Sequence, residues 1–260
     1  MALSEPPKEH DPVRWFVDHF DGAAQQIIDF ITSDGVALDG ATIADIGSGD
    51  GIIDLGVVLK ARPAKLVGYD IKPVDVDALR RSMAAAGVEG SLPDANILAF
   101  VQSEPDRVPA PNAIFDVVYS WSVFEHVDDP VAMLREVHRI LKPSGIFFLQ
   151  LWPFFSSQHG GHLWLAIDEP FAHLTHSPFL IEQGLKGEPA TDPSRPADDE
   201  FRSLNRLTLD SLQRALLAAH LRIAKIELMT EAAHIPPALA HLPMSDLAIS
   251  GVKLLAVPFE

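Results

Sequence analysis

The sequence predicts an α/β domain: a doubly wound, mostly parallel sheet of seven strands with helices on both faces. Two observations carry that prediction. Short apolar runs alternate with segments of helical period from residue 41 to residue 151. A glycine-rich turn joins the first of those runs to the first of those helices, and 260 residues with 47% hydrophobic content can bury one large core.

Val13, Phe16, Val17, Phe20, Ala24, Ile27, Ile28 and Ile31 recur at helical spacing, so an N-terminal helical segment fills residues 1–40. The Asp34-Gly35 and Asp39-Gly40 pairs mark turns before the first strand, Ala41 to Ile46. A helix over Ile52 to Lys60 follows, then a strand over Lys65 to Tyr69 ending at Asp70. The next expected elements are a helix over Val74 to Ala86, a strand over Ile97 to Val101 and a strand over Ile114 to Tyr119. Pro130 opens a helix that runs to Leu141 with Val131, Leu134, Val137 and Ile140 on one face. Lys142-Pro143-Ser144-Gly145 stops it, and Ile146 to Leu151 is the fifth strand, completing a core of residues 41–151.

Regularity then fails for some fifty residues, longer than most unstructured connections in compact domains, so residues 152–207 read as a cap inserted after the fifth strand. The cap opens on aromatic and histidine residues and contains a polar stretch from Gly187 to Glu200. Residues 208–260 complete the sheet, with Thr208 as N-cap of a helix over Leu209 to Ala219 and strands over Leu221 to Leu228 and Gly251 to Val257.

A formal charge of −16, from 20 basic and 36 acidic residues, opposes binding to a phosphate backbone, so nucleic acid is not an expected partner. The chain has no cysteine, which excludes disulfides and thiolate metal sites. Residues 1–11 are polar and acidic without the pattern of a signal peptide, and no apolar run approaches the roughly 20 residues that cross a bilayer. A cytoplasmic protein without membrane insertion is expected; the oligomeric state is left open.

The main motif is Asp45-Ile46-Gly47-Ser48-Gly49-Asp50-Gly51, between a predicted strand and a predicted helix. Glycines there let the backbone turn sharply and approach a ligand closely. Asp70, at the end of the next strand, is placed to hold two ribose hydroxyls. Both features also occur in dinucleotide enzymes.

Further segments separate the two chemistries. Phe115-Asp116-Val117-Val118-Tyr119-Ser120-Trp121-Ser122-Val123-Phe124-Glu125-His126-Val127 and Leu141-Lys142-Pro143-Ser144-Gly145, with the glycine turn, resemble the class I S-adenosylmethionine-dependent methyltransferases, above all their small-molecule branch. The resemblance covers Ile43 to about Leu151 and implies a Rossmann-like fold, S-adenosylmethionine as cofactor and a small-molecule acceptor. It implies that Gly47, Ser48 and Gly49 line the methionine part of the cofactor with backbone groups, that Asp45 is also a cofactor-binding residue, that Asp70 binds the ribose, and that Ile71 packs on adenine. Glu104 takes the place of the acidic residue near the adenine amino group, although Pro105 removes an N–H that the family commonly offers there. Ser120 is expected to face the cofactor.

For a hydroxyl acceptor, a histidine near the transferred methyl would help remove the proton. His126, His159 and His162 are the candidates. Trp152, Phe154, Phe155 and Trp164 either line an acceptor pocket or form core beneath a lid. His159-x-x-His162 with Asp168 and Glu169 downstream is also a metal-like spacing, but two glycines separate the histidines and no helical pattern aims them at one ion, so no metal is predicted. Oxygen methylation of a natural product, sugar or lipid-linked compound is the preferred expectation. Nitrogen or carbon methylation, a non-catalytic cofactor-binding partner protein and an NAD-dependent oxidoreductase are the alternatives.

Overall fold

The structure, a computed structural model, describes residues 11–188, 190 and 196–260. The polar start of the chain and part of the 187–200 stretch lie outside the described residues. Asp11 caps a helix, α1 (Pro12–Val17), by accepting from the N–H groups of Val13 and Arg14. A π-helical turn, Asp18–Ala23, carries the chain without a break into α2 (Ala24–Thr32).

The sheet contains β1 (Thr42–Ile46), β2 (Lys65–Asp70), β3 (Leu98–Gln102), β4 (Phe115–Trp121), β5 (Leu141–Leu151), β6 (Leu221–Thr230) and β7 (Ile249–Pro258). Their order is β3-β2-β1-β4-β5-β7-β6, and β7 runs antiparallel between β5 and β6. The chain therefore starts in the middle, winds outward to β3, and reverses at β4. Beside that reversal, at the carboxyl ends of β1 and β4, ligands of open α/β sheets bind.

Neighbouring residues on each strand face opposite layers, as the pleat requires. Ala44, Val118 and Phe147 join one layer beneath α5 (Pro130–Ile140) and α9 (Leu209–Ala218). Ile43, Val117 and Phe148 join the other, beneath α2, α3 (Ile52–Ala61) and α4 (Val76–Ala85). Thr208 caps α9 in a reciprocal capping box with Ser211.

The turn expected at Lys142-Pro143-Ser144-Gly145 belongs instead to β5. Phe115 pairs with Leu141 and Val117 with Ile146, so the four residues bulge out of the ladder while the strand continues. The Lys142 ammonium holds Asp116 at 2.7 Å, and the other Asp116 oxygen accepts from the Thr42 N–H at 2.9 Å, tying β5, β4 and β1 together at their N-terminal ends.

The cap has regular structure that the sequence pattern does not reveal: α6 (Ala172–Thr175), α7 (Pro178–Leu185) and α8 (Ala197–Arg202). Leu163, Ala172, Ile181, Leu185, Phe201 and Leu204 form its own small core. Among the described residues, no helix is long and apolar enough to cross a membrane.

Candidate active site

The glycine turn is held by β2. The N–H groups of Gly47 and Ser48 both donate to the Tyr69 carbonyl, at 2.7 and 3.1 Å, and the Gly49 N–H donates to Asp70 Oδ2 at 2.9 Å. Gly47 has φ +88°, and a Cβ on it would lie 2.3 Å from a Val123 methyl. Only glycine fits that backbone and that gap. Asp70 Oδ1 accepts from the Lys72 N–H at 2.9 Å, so two backbone donors orient the carboxylate while it keeps further lone pairs. Trp15 of α1 donates to Asp50 Oδ2 at 2.8 Å, so the N-terminal helix lies against the turn.

Beneath the turn, Asp45, Asp54 and Tyr119 are fully or almost fully buried, and the Tyr119 hydroxyl donates to Asp54. Burial pushes the Asp54 carboxyl up to about 7. Burial and the neighbouring Asp54 hold the Asp45 carboxyl well above its usual range, and burial with both carboxylates raises the Tyr119 phenol. Sequence reasoning names Asp45 but misses Asp54 and Tyr119. Asp54 sits two residues into α3 among Ile52, Leu55 and Val58, so the face of that helix was the available signal.

Other expected cofactor residues fall around this centre. Ile71 is 55% exposed directly after Asp70. Glu104 sits in an exposed turn bridged to Arg107 beyond β3, and the Ser103 N–H donates to the Asp70 carbonyl, which brings this loop beside β2. A groove of about 370 Å³ opens next to them, between Lys72, Val74, Phe100 and Gln102. Ser120 differs from its expected posture. It is fully buried and its hydroxyl donates to the Ile46 carbonyl at 2.7 Å, so it joins β4 to β1 rather than opening toward a ligand.

The three histidines separate. His126, in the 3₁₀ turn Phe124–His126 after β4, meets His162 of the cap edge-on, with ring centroids 5.2 Å apart. His159 turns away toward Glu231, 3.9 Å off, on a carboxylate that also takes Trp152 Nε1 and Gln158 Nε2. His162 has φ +55° and Nδ1 3.1 Å from Glu200 Oε1 of α8. His126 Nδ1 lies 2.8 Å from Ser203 Oγ. Asn205 donates to the carbonyls of Phe124 and Val127 and so clamps the turn. Glu200, Ser203 and Asn205 lie 74 to 79 residues from His126 in sequence, and no local pattern links them.

His173 is not a base for this site. Burial pushes it down to about 4, and its Nε2 bonds the Phe155 carbonyl at 2.6 Å, the contact of a neutral N–H donor. His176 pairs with Glu169 on the surface of the cap. The aromatic group also divides: Phe154 is 2% exposed in the main core, whereas Trp152 and Trp164 are half-buried neighbours with centroids 5.8 Å apart.

The turn suits S-adenosylmethionine on its own geometry. Gly47 lets the backbone turn tightly against Val123 where no side chain fits, and Asp45 Oδ1 and Ser48 Oγ are buried beside the turn without a hydrogen-bond partner. The family model described as a methyltransferase domain matches residues 14–188. A ubiquinone biosynthesis O-methyltransferase of Pseudomonas paraeruginosa is 30% identical over 112 residues, 43% of this chain and 44% of that protein. One from Actinobacillus pleuropneumoniae is 27% identical over 121 residues, 46% of this chain and 50% of that protein. The chain thus spans about half the length of these curated relatives. An S-adenosylmethionine-dependent methyltransferase from Mesorhizobium loti shares the fold with TM-score 0.54, 19% identity, and coverage of 91% of this chain and 99% of that one. Geranyl diphosphate methyltransferase, solved with GPP and sinefungin, does so with TM-score 0.57, 12% identity, and coverage of 91% and 78%. Glycine turn, strand order and family match converge: the chain belongs to the methyltransferase-domain family.

Proposed function

We propose that this chain methylates a hydroxyl oxygen of a small molecule, with the cofactor seated in the core and the acceptor admitted beneath the cap. The observation that carries the reading is the convergence of His126 and His162, one from the end of β4 and one from the cap. Curated relatives named as O-methyltransferases support oxygen as the atom methylated.

The bound cofactor supplies an electrophilic sulfonium methyl, so the protein's task is to align, desolvate and remove a proton. In this reading Gly47, Ser48 and Gly49 approach the methionine moiety, Asp45 and Ser48 receive its polar groups, and Asp70 accepts from the ribose hydroxyls. Ile71 offers an apolar platform for adenine, and Glu104 an acceptor at its edge. Ser120 holds the strand ends in register. His126 or His162 takes the acceptor's proton, and His159, paired with Glu231, lines the entrance. In this reading the acceptor is a natural product, a sugar or a lipid-linked compound, and the chain works as a single domain in the cytoplasm.

The test is methyl transfer from S-adenosylmethionine across a panel of phenols, sugars and prenylated alcohols, alongside matched amines. Of His126→Asn and His162→Asn, the variant that removes the base should lower kcat by about 100-fold with little change in cofactor affinity, the size expected for removing a general base. Turnover confined to amines, or full turnover in both variants, contradicts the reading.

A further inference from the structure

We propose that Glu125, His126 and His162 form a binding site for a divalent transition-metal ion of the zinc type at the joint between cap and sheet. One ligand atom from each lies within 4.8 Å of the other two. A tetrahedral ion with bonds of about 2.0–2.1 Å draws its ligands to roughly 3.3 Å apart, within reach of small side-chain rotations.

The second observation is the posture of the imidazoles. The side chain of His162 is 6% exposed, its Nδ1 faces the Glu200 carboxylate at 3.1 Å, and its Nε2 is buried without a hydrogen-bond partner. A carboxylate behind one ring nitrogen fixes the proton there and leaves a lone pair on the other. Metal-ligating histidines are held in this way. His126 is set similarly. His126 Nδ1 lies 2.8 Å from Ser203 Oγ, and the Ser203 hydroxyl donates to the Glu200 carbonyl at 2.7 Å, so a hydroxyl oxygen stands behind one ring nitrogen of His126. Two neutral imidazoles and one carboxylate form a donor set suited to zinc, cobalt or iron(II), and three protein ligands leave a position for water or an acceptor oxygen.

The sequence spacing pairs His162 with His159, whereas the fold gives it Glu125 and His126 instead. Because Glu125 and His126 come from the core while His162 and its partner Glu200 come from the cap, the ion would also pin the cap shut. The inference uses the same imidazoles as the proposed base but does not depend on the acceptor, and metal binding is read without turnover.

The experiment is titration of the untagged, chelator-treated chain with Co²⁺, followed by visible absorption and calorimetry, then displacement by Zn²⁺. One equivalent should bind with the intense ligand-field bands of four- or five-coordinate cobalt. His162→Asn and Glu125→Gln should abolish those bands. Glu200→Gln should weaken binding roughly 10- to 100-fold, and the surface variant His176→Asn should bind as the wild type does. If Glu125→Gln fails to fold by circular dichroism, His126→Asn replaces it. Absence of a saturable cobalt spectrum, or a spectrum that survives His162→Asn, overturns the site. Titration with S-adenosylmethionine on the same samples reports the cofactor site separately.

Discussion

The core and the described part of the cap are held by different amounts of apolar packing. In the core, Phe147, Phe148 and Val117 sit fully buried in a sheet covered on both faces, and every step of the chain from β1 to β5 adds to the same two layers. In the cap, short helices share a cluster of a few apolar residues, and α6 has only four residues. Much of the cap's attachment is polar: Asn205 on the 3₁₀ turn, Ser203 on His126, and Trp152 and Gln158 on Glu231. In the proposed function the cofactor sits in the rigid core, and the acceptor is met by the part that is easiest to rebuild and open.

The sharpest way to break this comparison is to hollow out each region in turn. Phe147→Ala should cost about 3–5 kcal/mol of global stability in denaturant unfolding. Ile181→Ala should instead loosen the cap locally, seen as faster proteolysis there and a raised acceptor KM, with cofactor affinity unchanged. A cap variant that unfolds the whole chain would show the two regions to be one cooperative unit.

Within the core, Gly47→Val should lower cofactor affinity roughly 100-fold by calorimetry, because the backbone strain of about 1–3 kcal/mol at positive φ adds to the collision with Val123. The buried acids give a pH signature. With the folded pKa of Asp54 near 7 and an unfolded value near 3.9, the native state holds the extra proton. Its contribution to stability is therefore fully present below about pH 4 and is lost as pH rises toward 7. Asp54→Asn keeps an acceptor for Tyr119 and should flatten that decline, so the gap in Tm between variant and wild type widens with pH across this window. A constant gap would contradict the assignment. Least of all, Thr208→Ala should cost about 1 kcal/mol by removing the α9 cap, without touching the cap's function.

This contrast also explains what the sequence could convey. Strands β1 and β2 were legible because their apolar runs end at Gly47 and Asp70, β3 and β4 because they are short apolar runs between polar segments, and α5 because Pro130 and its apolar stripe agree. The early start of β5 was not, since Lys142-Pro143-Ser144-Gly145 has turn chemistry and only the pairing of Phe115 with Leu141 makes it a bulge. In the cap, Ser177 caps α7 and Pro178 opens it, but the stretch around them has no sustained apolar stripe at helical spacing to mark a helix. The site divides in the same way. Gly47, Ser48, Gly49 and Asp70 are neighbours through one strand-turn-helix and its adjacent strand, so a local motif finds them. Glu125, His126, His162, Glu200 and Ser203 meet only because the cap folds back onto the end of β4, which no spacing records.

The most direct test of the account is calorimetric titration of the wild-type chain and of Asp70→Ala with S-adenosylmethionine. The account predicts saturable, one-to-one binding by the wild type and a loss of at least about tenfold in the variant, the scale of a lost charge-assisted hydrogen bond. A folded wild-type protein that binds no S-adenosylmethionine, or equal binding by both proteins, would contradict it.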